Sequence, residues 1–427
     1  MGESQVPASA GNSPRRVLFA SLTGTTIEFY DFYIYSTAAV VVFPQLFFPS
    51  ADPASAQLQS LATFALAFFA RPLGSALFGH FGDRIGRKAT LVAALLTMGL
   101  STVAIGLLPT YESIGVWAPV LLCLCRLGQG LGLGGEWGGA VLLATENAPP
   151  GKRSWYGMFP QLGAPLGYFF ATGTFLLLTR WADDAAFMAW AWRIPFVASA
   201  LLVFLGLYVR LRLVETASFR RSLEKEEQER LPMLTVIRNY PWQLALGVGS
   251  AISTFVVFYL MTVFALSYGV TTLGHDRREL LGVQMIAVFF FAVTVPFSGW
   301  LADRFGMRRM LIAASFAVIA FGFAFAPLFG SGSVSELVVF LSAGLVVMGL
   351  TYGPLGASLG GLFPTRVRYT GTSLAFNLAG ILGGSLAPYI AKGLADQHGL
   401  AYVGYYMAAA GLITLISLWL IQRREAA

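Results

Sequence analysis

Long apolar runs alternate with short polar breaks from residue 17 to residue 422. Twelve runs can be counted, at about 17–43, 57–81, 89–108, 116–146, 154–179, 188–210, 241–269, 279–303, 310–329, 335–363, 371–394 and 401–422. A bilayer crossing needs roughly 20 apolar residues, and each run reaches that length. Lipid offers no partner to backbone N–H and C=O groups, so each run is expected as a helix. The breaks are short except one, 211–240, which holds ETASFRRSLEKEEQER and reads as a solvated connector. The expected organisation is a tail (1–16), a six-helix half (17–210), the linker (211–240), a second six-helix half (241–422) and a tail (423–427).

The two halves share a signal. GHFGDRIGRK at 79–88 lies between the second and third runs, and GWLADRFGMR at 299–308 between the eighth and ninth. Gly79, Asp83, Arg84 and Gly86 recur as Gly299, Asp303, Arg304 and Gly306, offset by 220 residues. The fold class expected is all-α, with twelve transmembrane helices in two pseudo-symmetric halves. Such internal symmetry places a transporter's substrate site between the halves.

Composition agrees. The chain is 56% hydrophobic and 11% charged, well below the roughly 25% charged of a soluble domain. Of 28 Lys and Arg, 21 fall on one side of the membrane if the N-terminus is inside. Both termini are therefore expected in the cytoplasm. This asymmetry accounts for the +7 net charge, so nucleic-acid binding is not needed to explain it. Cys123 and Cys125 lie on different sides of one run and read as packing residues.

Ionisable groups inside spans are costly and are candidate functional sites. Five lie away from span ends, all in the first half: Glu28, Asp31, Arg71, Arg126 and Glu136. Gly24, Glu28, Asp31 and Tyr35 share one helix face. Asp31 lies about 21 Å along its helix, near mid-bilayer. Arg126, Gln129, Leu133, Glu136 and Ala140 share a face of span four, backed by Gly128, Gly132, Gly135 and Gly139 for close packing. Asp31 and Arg126 can pair at similar depth. One reading is a proton switch, in which drawing Arg126 away readies Asp31 for a proton; the other is a permanent ion pair that fixes packing.

Gln161, Tyr168 and Thr172 share a face of span five. The second half offers only neutral interior groups: Tyr259, Thr262, Gln284, Tyr352 and Asn377. Singly these read as structural; as a set they suit the neutral side of a small polar substrate. Pro165, Pro296, Pro354 and Pro388 can kink or loosen their spans.

EFYDFYIY at 28–35, RPLG at 71–74, RLGQGLGLGGEWGG at 126–139 and WRIPF at 192–196, with the two charged loops, resemble the major facilitator superfamily and its metabolite:proton symporter branch, shikimate carriers included. The resemblance covers nearly the whole chain. It implies the major facilitator fold and a bacterial inner-membrane location. It also implies proton coupling through Asp31 and Arg126, and substrate contact by Gln161. It makes Glu146 the acid tying span four to the loop arginines. Gly361 stands where that acid would recur, so the second inner latch is expected to lack an acid.

The expected function is proton-coupled import of a small organic acid or zwitterion by alternating access. Asp31, Glu28, Arg126 and Glu136 are the proton-coupling candidates. Arg126 or Arg71 would hold the substrate carboxylate, with Tyr35, Gln161, Tyr168, Tyr259, Gln284, Tyr352 and Asn377 around it. Gly79, Asp83, Arg84, Gly86, Arg87, Glu146, Asp303 and Arg304 are the gating candidates. Partners expected are the substrate, protons and lipid, with no cofactor, no metal and no nucleic acid, and the chain acting as a monomer. A facilitator or exchanger without proton coupling is the alternative within transport. An intramembrane enzyme is disfavoured, because His80, His275 and His398 sit at or beyond span ends and no nucleophile or metal motif appears. A sensor is disfavoured because no loop is long enough to hold a signalling domain.

Overall fold

The structure is a computed structural model. It describes residues 14–50, 52–85, 87–211, 232–330, 333–364 and 367–425, the side chains of 14–17, 79–91, 209–211 and 422–425 excepted. Every regular element among the described residues is helical. Twelve long helical segments stand where apolar runs were expected. They are α1 (Pro14–Val41), α2 (Pro53–Ile85), α3 (Arg87–Leu107), α4 (Trp117–Glu146), α5 (Arg153–Trp181), α6 (Ile194–Leu211), α7 (Pro241–Thr271), α8 (Arg277–Phe305), α9 (Met307–Phe329), α10 (Val334–Gly361), α11 (Arg368–His398) and α12 (Leu400–Glu425). Ten of them are long and apolar enough to cross a membrane by composition alone; α1 is diluted by Glu28 and Asp31, and α3 contributes the shorter stretch Val92–Leu107.

The internal repeat is visible in the packing. α1 packs on α5, α2 on α4 and α3 on α6; the same three pairings recur as α7 on α11, α8 on α10 and α9 on α12. Across the seam α5 packs on α8, α2 on α11, and α4 on α10 and α11. Large apolar side chains such as Leu100, Leu201, Phe204 and Phe289 project outward. An apolar exterior of this kind needs lipid around it.

Helix α4 is not continuous, contrary to the single run expected. It stops at Leu133, turns at Gly134 and Gly135, and restarts at Glu136. The glycines allow this because a Cβ on Gly134 would overlap the backbone of Arg71 in α2. The carbonyls freed by the break are caught by neighbours. Ser75 and Asn377 Nδ2 donate to the Gly134 oxygen, the latter at 3.0 Å, and the Tyr369 hydroxyl donates to that of Gly135. Irregular backbone at membrane depth is tolerated where protein satisfies it. The expected glycine stripe is likewise split: Gly128 and Gly132 meet α3, whereas Gly135 and Gly139 face Tyr369 of α11.

Two wide helical turns, Leu260–Phe264 in α7 and Ile381–Ser385 in α11, occupy equivalent places in the second half. Pro388 follows the second turn, at the restart of the helix, where its missing N–H costs nothing. At the α8–α9 turn Gly306 has φ +98°, a conformation that favours glycine and explains its place in the charged loop.

Candidate substrate cavity and buried charges

A small cavity lies on the seam between the halves. It is lined by Phe29, Tyr33 and Arg71 from the first half, and by Phe255, Phe258, Tyr259, Tyr352 and Phe376 from the second. Its free space is about 20 Å³, room for a water molecule but far below the roughly 300–1,000 Å³ of a ligand pocket. Aromatic contacts seal it. Toward the inner, arginine-rich end, Trp137 stacks on Phe376 with centroids 3.5 Å apart and planes 9° off parallel. Trp137 Nε1 donates to Gln161 Oε1 at 2.8 Å, and Gln161 Nε2 donates to the Tyr352 carbonyl at 3.0 Å. Toward the outer end Tyr259 packs against Phe64 and Phe68, at 5.3 and 5.6 Å between centroids. Within the wall Tyr33 meets Tyr168 and Phe258. Little free space remains between these rings.

Arg71 is the one charged group lining this space. It is 6% exposed, and its guanidinium carbon lies 4.4 Å from the ring centres of both Phe32 and Phe68. Its Nε has no hydrogen-bond partner. A buried guanidinium resting on aromatic faces has donors left for an incoming acceptor.

Arg126 lies deeper, fully buried over Tyr35 at 4.0 Å and Phe32 at 4.4 Å. It does not pair directly with Asp31, as the sequence led us to expect. Its Nη1 donates to Gln129 Oε1 at 2.8 Å, and Gln129 Nε2 donates to Thr102 Oγ1 at 2.8 Å. Thr102 lies beside Asp31. Asp31, 0% exposed, accepts from Ser199 Oγ of α6 at 2.5 Å through Oδ1, and its Oδ2 has no hydrogen-bond partner. A file of neutral polar groups thus separates the acid from the arginine. Coulomb attraction alone does not force contact, because α3 and α6 offer hydroxyls nearer to the acid. Glu28 is buried on the same face of α1, and Glu136 is buried at the restart of α4.

The remaining site candidates divide by place. Tyr259 and Tyr352 line the cavity, and Tyr168 and Gln161 back it. Tyr35 is bonded to Thr63 at 2.6 Å, outside the cavity and under Arg126. Asn377 does not reach the cavity, because its amide is spent on Ser75 and the Gly134 carbonyl. Gln284 is also elsewhere, donating to the Thr262 carbonyl at the wide turn of α7 at 2.8 Å. Phe29, Tyr33, Phe255, Phe258 and Phe376 were not anticipated, although the aromatic density of EFYDFYIY marks Phe29 and Tyr33.

The charged loop of the second half reaches across the seam to the first half. Asp303 accepts from the backbone N–H groups of Ser154 and Trp155, each at 2.9 Å, so the second half's loop caps α5 of the first. Glu146 lies 3.7 Å from Arg368 of α11, a cross-half partner the sequence did not suggest. Arg304 rests near the Trp300 and Phe305 rings. Gly361 ends α10 with open space around it and supplies no acid there. The loop candidates Gly79, Asp83, Arg84, Gly86 and Arg87 lie outside the residues whose side chains are described. Among the described residues no cluster of metal-ligating side chains occurs.

Two repeated six-helix sets around a narrow aromatic cavity that holds one buried arginine define a multi-pass membrane transport protein. The model of the Major Facilitator Superfamily matches residues 22–388. The chain is 56% identical to the inner membrane metabolite transport protein YhjE of Escherichia coli K12, over 96% of this chain and 94% of that one. It is 33% identical to the shikimate transporter of the same organism (97% and 95% covered) and 33% identical to the proline/betaine transporter of Salmonella typhimurium LT2 (95% and 83% covered). A solved structure of the proton:xylose symporter XylE superposes with a TM-score of 0.73 over 95% of each chain; at 17% identity it bears on the fold alone. The chain therefore belongs to the major facilitator superfamily, in its metabolite:proton symporter family. It is an integral multi-pass transporter of small metabolites in the inner membrane, not an enzyme.

Proposed function

We propose that the chain imports a small organic acid together with protons, and that Arg71, in preference to Arg126, holds the substrate carboxylate. The observation that carries this reading is a buried guanidinium, with an Nε lacking an acceptor, on the wall of an aromatic cavity between the halves. Arg126 already donates to Gln129 and, at 3.4 Å, to the Phe64 carbonyl, and it lies outside the cavity lining. Asp31 takes the proton. It is the mid-membrane acid with one uncommitted oxygen, and the polar file through Thr102 and Gln129 links its state to Arg126. Glu28 and Glu136 assist, and Asp303, Arg304 and Glu146 act with the first loop as inner gates. The halves 17–210 and 241–422 act as two units joined by the cytoplasmic linker 211–240, most of which lies outside the described residues, and the chain works as a monomer. A zwitterion is the second substrate class, because Tyr33, Phe258 and Tyr259 present faces able to attract a quaternary ammonium by about 2 kcal/mol when desolvated.

Two measurements test this. Thermal-shift screening of the purified chain against organic acids, betaines, amino acids and sugars identifies the substrate, and a ligand without a carboxylate would refute the role of Arg71. Uptake into proteoliposomes should then collapse with a protonophore; uphill uptake that survives points to a different driving force. A potassium-diffusion potential at fixed pH gradient separates substrate classes. One proton with a monoanion moves no net charge, whereas one proton with a zwitterion gains roughly 2.3 kcal/mol per 100 mV.

A further inference from the structure

A second open space among the described residues is larger than the central cavity. It lies at the outer ends of α1, α2, α7 and α8, measures about 480 Å³, and is lined by Gln45, Ser50, Gln57, Thr271 and Arg277 among apolar residues. That volume is already within the ligand range, whereas the central space must expand before it can admit a metabolite. Arg277 is the only charged residue in its lining.

Two donors in this lining lack acceptors. Gln57 is 4% exposed and its Nε2 has no hydrogen-bond partner; the Nε of Arg277 has none either. Leaving buried donors unmade is unfavourable unless something occupies them. Arg277 is also the nearer base of a cross-seam clasp, with the more exposed Arg278 3.7 Å from the same acid, Asp184. Arg277 Nη2 donates to Asp184 at 2.8 Å, and its guanidinium carbon lies 4.5 Å from the Phe187 ring. Asp184 and Phe187 belong to the short helix Asp184–Ala189 that follows α5. Asp184 is the exposed partner of the pair, with 78% of its side chain accessible against 17% for Arg277, so water solvates the acid and its hold on Arg277 is weak.

We propose that this outer cavity binds a small carboxylate between Arg277 and Gln57, and that the carboxylate replaces Asp184 on Arg277. Occupancy then loosens the outer clasp, leaving Asp184 only the longer and more exposed contact to Arg278, so the substrate itself favours the outward-opening movement. A ligand shifts a conformational equilibrium only by its differential affinity for the two states, and exchanging one carboxylate partner for another supplies that difference. The proposal rests on the carboxylate reading of the central site for its choice of ligand class, and its geometry is independent of Arg71.

The test is hydrogen–deuterium exchange on the purified full-length chain, read at the Asp184–Ala189 helix. The probes are shikimate, L-proline and glycine betaine at millimolar concentration, with shikimate methyl ester as the uncharged control. At least one acid should speed exchange there by about threefold or more, and the ester should not. Asp184→Asn should show fast exchange without any probe. Gln57→Leu leaves the clasp in place, so it should keep the unliganded rate and lose the response. Arg71→Gln should keep the response. The proposal is overturned if no acid speeds exchange in the wild type, if Asp184→Asn exchanges like the wild type, if Gln57→Leu responds in full, or if Arg71→Gln abolishes the response. Failure of the central-site reading would show instead as unaltered uptake and ligand affinity in Arg71→Gln.

Discussion

The two halves share helix pairings but not chemistry. The first buries Glu28, Asp31, Arg71, Arg126 and Glu136; toward the cavity the second presents Phe255, Phe258, Tyr259, Tyr352 and Phe376. Duplication therefore explains the scaffold, while the charges must be explained by what one half does alone. A charge in lipid is expensive, and placing Arg126 and Asp31 on the same side lets one polar file, Gln129 and Thr102 with Ser199 at its end, serve both. The aromatic half provides shape and a low dielectric, which strengthens any ion contact made in the space between.

The most severe break in that contrast is Asp31→Asn. Proton-driven accumulation should vanish while substrate exchange across proteoliposomes continues, since the cavity is untouched. Full accumulation in this variant would place the proton elsewhere. Next comes Arg71→Gln, which should weaken substrate binding by about 1.5–3 kcal/mol, roughly 10- to 150-fold in Kd. If Arg126→Gln has that effect and Arg71→Gln does not, calorimetry on the purified variants will have reversed the assignment. Asp303→Ala removes the cap on α5 and should slow turnover a few-fold, a cap being worth about 0.5–2 kcal/mol, with Kd unchanged. A large loss of affinity would move Asp303 from gate to site. The smallest effect is expected in the aromatic half. Tyr352→Phe keeps the ring and should alter Kd by less than about threefold, under 0.7 kcal/mol; a tenfold loss would mean that this half contributes chemistry as well as shape.

The twelve helices were legible because lipid leaves an apolar run little choice. The buried charges were legible for the same reason. What could not be read was the direction each face points. Periodicity puts Asp31 and Arg126 on inward faces but cannot see that Ser199, 168 residues away, reaches the acid first. The break at Gly134 was hidden because glycine at helical spacing also describes a smooth packing face. Asn377 looked like a ligand contact, and only tertiary structure shows its amide committed to the freed Gly134 carbonyl. Asp303 stood out as half of a repeat, but the sequence does not reveal that it caps a helix of the other half.

The mended break in α4 has a consequence for how the molecule can open. Two of the three donors that hold its carbonyls, Asn377 and Tyr369, come from α11 of the opposite half. Drawing α11 away from α4 removes them, and an orphaned carbonyl in a dry interior costs about 1–3 kcal/mol. Only water arriving as the donors leave can offset that. The inner passage must therefore hydrate as it widens, and a dry crack along this seam closes again. Wetting, and not helix movement alone, becomes part of the reaction coordinate, and turnover should slow as the activity of water is lowered.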